Sequence, residues 1–180
     1  MSAFEALLNR RSYSSVGDDA PKRKELLRLV DAASTLADHK SLRPWRLIEL
    51  RGDARDRIGE GLAKAEGKKG HDVEKYVRKA HRSPLVIAVV SSPRKGKLPE
   101  WEQEAVASGV AHNLSLLLDE AGWGVFWRTG SHTRHKAVAK AHELEPGEKL
   151  LGWLHVGSKP VRRRHGRRKP IDPKRFLTRL

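Results

Sequence analysis

Three short stretches carry side chains whose types and spacing suit a flat, phosphorylated ligand. Arg10-Arg11-Ser12 follows Phe4, Leu7 and Leu8, whose spacing predicts a helix over 3–9. Two guanidinium forks and a hydroxyl just past a helix suit phosphate oxygens, because charge-assisted bidentate bonds match phosphate geometry. A basic helix C-terminus favoured by the macrodipole is the plainer account. The second stretch, Asp38-His39-Lys40-Ser41-Leu42-Arg43-Pro44-Trp45, is a polar loop that could hold a flat ligand. Its X-Pro step biases Arg43 toward extended geometry. A helix end and a surface turn before a core strand would explain it equally well. In the third, Gly122 to Gly130, glycines flank a short aromatic strand, so backbone N–H groups could approach and bond a ring. A buried strand and turn is the alternative there.

Other chemistries find little support. No Ser-His-Asp, Cys-His or paired-carboxylate constellation stands out, so the chain offers no evident nucleophile or general base. Gly122 and Gly124 lack the third glycine of a dinucleotide fingerprint and precede a strand, the wrong context for that motif. His132 and His135 have no cysteine or carboxylate partner of suitable spacing, so no metal site is expected. His39 is read as a hydrogen-bonding contact, not as an acid or base.

The elements that must position these stretches follow from apolar periodicity. Leu26, Leu27, Val30 and Ala33 mark a helix running to about Leu36, with Pro21 at its start and Asp18 or Asp19 as cap. Trp45–Leu50 reads as a strand, followed by a helix capped by Asp53. The unbroken run Leu85–Val90 reads as a central strand covered on both faces. The longest helix spans Glu100 to about Ala121, with Val106, Val110, Leu114, Leu117 and Leu118 on its buried side. Trp101 and Glu104 at its start would face a ligand mouth or simply anchor the helix. Thr133 caps a short helix through Ala141, and Leu150–Val156 is the last core strand. Residues 66–81, rich in Lys, Gly and His, read as mobile surface with a short helix.

With 180 residues, 38% of them apolar, the chain can enclose one core. It has no cysteine, which excludes a disulfide framework and thiolate metal sites and fits a reducing cytoplasm. No apolar run is long enough to cross a bilayer, so no membrane partner is expected. The net charge of +15 is uneven. Lys159, Arg162, Arg163, Arg164, Arg167, Arg168 and Lys169 carry almost half of it without an intervening acid. A tail of that kind leaves nucleic acid open as a partner, although no RNA-binding aromatic motif or helix-turn-helix signal accompanies it.

Arg10-Arg11-Ser12, Asp38-His39-Lys40-Ser41 with Pro44-Trp45, Trp101-Glu102-Gln103-Glu104 and Trp127-Arg128-Thr129-Gly130 stand in the order and spacing of one family. The sequence resembles the compact FMN-dependent nitroreductases over nearly all of Met1 to Gly157. That resemblance implies an α+β, three-layer fold with a central mixed sheet flanked by helices. It implies an FMN-binding domain over 1–157 and a basic tail over 158–180 that reaches across a dimer. FMN would sit at the interface of a homodimer, contacted by Arg10, Arg11, Ser12, Thr35, His39, Trp127, Arg128 and Thr129, with Thr35 coming from the partner subunit. The family commonly has Gln where Arg43 stands. NAD(P)H would pass hydride to flavin N5, and an electron-poor small molecule such as a nitroaromatic or quinone would take it up. The competing readings are a flavin carrier or sensor with little turnover, and a basic nucleic-acid-binding protein on a vestigial flavin fold.

Overall fold

In the computed structural model, residues 2–161 and 169–179 are described. Arg162, Arg163, Arg164, Arg167 and Arg168 of the basic run therefore lie outside the described residues. The helices are α1 (Ala3–Asn9), α2 (Arg23–Ala33), α3 (Asp56–Ala65), α4 (His71–Ala80), α5 (Glu100–Glu120) and α6 (Lys136–Ala141). The strands are β1 (Trp45–Arg51), β2 (Leu85–Ser91), β3 (Trp123–Arg128) and β4 (Lys149–Ser158). They form one sheet in the order β1-β2-β4-β3.

Strand β2 is buried along its whole length. Its side chains alternate, because a strand has a period of two. Leu85, Ile87 and Val89 join Val125, Leu154 and Val156 under α2 and α5. Val86, Ala88 and Val90 join Leu150 and Trp153 under α3, α4 and α6 through Ile58, Ala80 and Val138. The result is the expected α+β fold in three layers.

The sheet itself is antiparallel at every pairing among the described residues, where a mixed sheet was expected. Helices can cover both faces of a strand whatever the direction of its neighbours, so the apolar run of β2 carried no information about direction. Caps differ as well. Lys22 precedes α2 and Arg55 precedes α3, neither with a side-chain cap, and the Asp53 segment forms a 3-10 turn instead. His135, not Thr133, caps α6, taking the Ala137 N–H at 3.1 Å. The Thr133 hydroxyl donates to the Gly130 carbonyl at 2.8 Å. Ser2 and Glu5 form a reciprocal capping box at the start of α1. Within the 66–81 segment the expected short helix is present as α4 (His71–Ala80), packed on α3.

After α1 the chain crosses the edge of the sheet. The Tyr13 N–H donates to the Val125 carbonyl and the Gly17 N–H to that of Ser158, both at 2.9 Å. Val16 and Gly17 lie directly on glycines of β3 and β4. A Cβ on Gly157 would stand 2.4 Å from the Gly17 carbonyl and 2.7 Å from Val16, and one on Gly124 would stand 3.0 Å from Val16. Gly124 thus serves packing within the chain, not the approach of a ring.

Buried polar groups on the other face are paired. The Trp153 indole N–H donates to His142 Nε2 at 2.8 Å, and Ser83 shares a 2.9 Å hydrogen bond with His155 Nδ1. Burial, with the nearby Arg128 charge, pushes the His155 imidazole down from 6.5 to about 4.

Two outcomes follow. Gly157→Ala forces the 13–17 segment off the sheet, and overpacking of this kind costs about 1–3 kcal/mol, read as a lower denaturant midpoint with unchanged slope. For His155, the unfolded chain takes up a proton between pH 6.5 and about 4 that the fold refuses. Its contribution is complete above pH 6.5 and is lost as pH falls toward 4, by about 3 kcal/mol. Denaturant unfolding at pH 7 and pH 4.5 should show a smaller acid loss in His155→Asn than in the parent protein.

Candidate functional site

The end of α1 and the edge strand build the first opening. A cavity of about 200 Å³ is lined by Arg10, Ser12, His112, Asn113 and Trp127. Arg10 Nη1 stands 3.4 Å from the Ser12 hydroxyl, and the His112 ring meets Trp127 edge-on at 4.9 Å. Arg11 behaves differently. Its Nη1 turns back to donate to the carbonyls of Leu8, Arg10 and Asn9 at 2.9, 3.0 and 3.3 Å. The guanidinium thereby satisfies the unpaired carbonyls at the end of α1, the role the helix dipole favours. His112 and Asn113 were not foreseen, since polar residues on a long helix carry no local signal of a cavity.

Trp127 and Arg128 are consecutive in β3 and point to opposite faces. Trp127 packs on the α5 side, its indole nitrogen against β4 at Gly152, where an added Cβ would be 2.7 Å away. Gly152 has φ +145°, a conformation that side chains rarely adopt. Arg128, Thr129 and Gly130 line a second cavity of about 210 Å³ on the other face, with Tyr76, Lys79 and His155. The Arg128 guanidinium lies 5.5 Å from the centre of the Phe126 ring.

Thr35 and His39 are exposed beyond the end of α2. The Thr35 hydroxyl donates to the Ala32 carbonyl at 2.9 Å. His39 opens onto a third cleft of about 230 Å³ shared with residues 94–98. The loop is strained, with Lys40, Ser41 and Arg43 at φ +52°, +50° and +48°. Arg43 is therefore not extended, contrary to the bias of the following proline. Its N–H instead donates to Asp38 Oδ2 at 2.7 Å, which closes the loop tightly. Non-glycine residues in this region cost about 1–2 kcal/mol each, and such strain concentrates at ligand-binding segments.

At the start of α5, Trp101 is 70% exposed. Glu104 bonds Arg134 at 3.1 Å and Lys149 at 3.0 Å. Burial would raise its carboxyl, but those two cations hold it below the usual range. It is part of an ion-pair network at the start of α5.

The three openings do not merge within one chain. Arg10, Ser12 and Trp127 are together, Arg128 and Thr129 are together, and His39 is separate. Each opening is smaller than the roughly 300–1,000 Å³ that encloses a ligand of cofactor size. The donor set of Arg10 and Ser12 suits a phosphate group, so the residues fit a phosphorylated flat cofactor in part, with each opening supplying one portion.

A model of the Nitroreductase family matches residues 7–158. The Escherichia coli K12 protein named "Putative NAD(P)H nitroreductase YdjA" is 31% identical over 182 residues, covering 99% of each chain. A nitroreductase-like family protein from Bacillus cereus superposes with a TM-score of 0.84 at 21% identity, over 100% of this chain and 96% of that one. A variant of NfnB, the FMN and NADPH-dependent nitroreductase from Sphigopyxis sp. strain HMH, superposes at 0.69 with 18% identity, over 92% and 95%. With the family model spanning the whole sheet and a relative aligned from end to end, the chain belongs to the nitroreductase family.

Proposed function

We propose that the protein is an FMN-dependent NAD(P)H oxidoreductase that works as a homodimer. Each FMN is held between the Arg10–Ser12 segment of one copy and the Thr35–His39 loop of the other. The observation that carries this reading is the separation of the candidate residues into openings too small for the cofactor, next to unpartnered apolar surface. Phe4, Leu7 and Leu8 on α1 are 70%, 55% and 52% exposed, and Leu27 on α2 is 55% exposed. An apolar face of this kind marks an interaction site. The name of the Escherichia coli relative and the FMN and NADPH dependence of NfnB support the cofactor and reductant.

Held by these residues, FMN would supply the redox chemistry, hydride transfer from NAD(P)H to an electron-poor acceptor such as a nitroaromatic or quinone. The chain binds and orients. Arg10 and Ser12 hold the phosphate, and Arg11 fixes the end of α1 so that both face it. Trp127 and His112 wall the same opening on the α5 side. Thr129 lies just past the last β3–β4 pair, so its backbone is outside the ladder and can bond a ring edge. The charge of Arg128 favours negative charge developing there. Of the tail over 158–180, Ser158 ends β4 and Lys159 is tied to Asp119, while the 169–179 segment crosses to the partner, with Ile171, Phe176 and Leu177 as exposed apolar anchors. Among the described residues no helix is long and apolar enough to cross a membrane, and a cytoplasmic setting goes with this reading.

The purified protein should be yellow, bleach anaerobically with NADH or NADPH, and recover its colour on adding a quinone or nitro compound. A colourless protein that refuses added flavin overturns the proposal. Arg10→Ala removes a charge-assisted contact and should weaken FMN retention about tenfold or more, measured by equilibrium dialysis; full retention would remove Arg10 from the phosphate clamp. Sedimentation should give twice the chain mass for the parent, and Phe4→Glu should yield monomer that releases flavin. A flavin-loaded monomer contradicts the shared site.

A further inference from the structure

The cleft beside His39 is built from two loops that are locked together. The Ser92 N–H donates to the Pro44 carbonyl at 2.9 Å, tying the 92–99 loop to the strained 38–44 loop. Gln103 of α5, 1% exposed, reaches under the second loop. Its Oε1 accepts the Arg94 N–H at 2.7 Å, and its Nε2 donates to the carbonyls of Arg94 and Leu98 at 3.1 Å each. A buried amide with three bonds to one loop fixes that loop's shape.

The lining of this cleft is cationic. Lys40, Arg94, Lys95 and Lys97 line it together with His39, Gly96 and two leucines, and no acidic side chain does. The nearest carboxylate in sequence, Asp38, bonds the Arg43 N–H through Oδ2. Lys149, near the start of α5, by contrast has two acidic partners, Glu100 and Glu104. Four like charges held around one concavity by cross-tied loops repel one another, and an anion seated between them relieves that repulsion. The strained loop is what brings Lys40 to this rim.

We propose that this cleft is a phosphate subsite for the electron donor, taking the 2′-phosphate of NADPH, and that it makes NADPH the preferred reductant over NADH. The inference rests on the oxidoreductase reading above, because His39 lines this cleft and is also the residue assigned to the flavin of the partner. The 2′-phosphate is the one group that distinguishes the two nucleotides. It is close to dianionic at neutral pH and matches guanidinium and ammonium donors.

The test uses the holoprotein and the double variant Lys95→Gln/Lys97→Gln, whose altered side chains are exposed and outside the proposed flavin contacts. Calorimetric titration should show 2′,5′-ADP binding about tenfold or more tighter than 5′-AMP, with the difference collapsing in the variant. Anaerobic flavin reduction by NADPH should slow by a similar factor in the variant, while reduction by NADH changes less than about twofold. Equal binding of 2′,5′-ADP and 5′-AMP overturns the subsite, even when both nucleotides reduce the flavin. Inorganic phosphate binding as tightly as 2′,5′-ADP also overturns it, by showing a general anion patch. Tight, variant-sensitive 2′,5′-ADP binding in a protein that neither nucleotide reduces keeps the subsite and sinks the oxidoreductase reading instead.

Discussion

The structure depends on how the segment after α1 is docked on the edge of the sheet. The hydrogen bond from Tyr13 to Val125 and the seating of Val16 and Gly17 on Gly124 and Gly157 accomplish three things together. They cover part of an exposed strand edge, which would otherwise invite pairing with another chain. They bury the Tyr13 side chain, whose ring also lies 5.6 Å from the Lys159 ammonium. They also place Arg10 and Ser12 beside Trp127, so that one cation and a hydroxyl from the N-terminal segment share a cavity with an aromatic from the third strand. Lys159 strengthens the arrangement from the other side, through its 2.6 Å bond to the Asp119 carbonyl and its ion pair with that side chain. The first residue of the basic run is therefore part of the fold.

Much of this framework was legible from residue order. The β-rich run at 85–90 is the central strand, and the long apolar stripe from Glu100 is the helix that covers it. These signals are local and periodic, and a buried face reinforces them. Strand direction was not legible, because it depends on how helices return between strands and not on any one segment. Cap positions failed for a related reason. Asp53 and Thr133 are good capping residues, but Asp53 falls in a 3-10 turn ahead of its helix and Thr133 closes one on Gly130. The conformation of Arg43 could not be read at all, since its N–H is recruited by a carboxylate five residues back, against the usual preference before proline.

The site was legible as a list of residues but not as a geometry. Arg11 looked equivalent to Arg10, yet only the fold shows that its guanidinium closes the helix. Trp127 and Arg128 looked like neighbours on one ribbon, yet the strand period sends them to opposite faces. The separation of His39 from Arg10 within one chain reflects the same point. Binding groups sit on loops and edges, while the buried layers specify where those loops emerge. Strain at Lys40, Ser41 and Arg43 is held by the Asp38–Arg43 bond and the Ser92–Pro44 tie, and Gln103 fixes the facing loop. That rigidity lets exposed cations act as a site and not as a diffuse basic surface.

The central claim is that one cofactor site draws on two copies of the chain, and mixed dimers test it most directly. Arg10→Ala subunits and Thr35→Ala/His39→Ala subunits, each deficient in flavin retention alone, are unfolded together, refolded as a mixture and titrated with FMN. Random pairing makes about half of the dimers mixed, each with one site built wholly from unaltered residues, so tight binding should return to about a quarter of all sites. No recovery above the two separate variants would contradict a site shared between subunits.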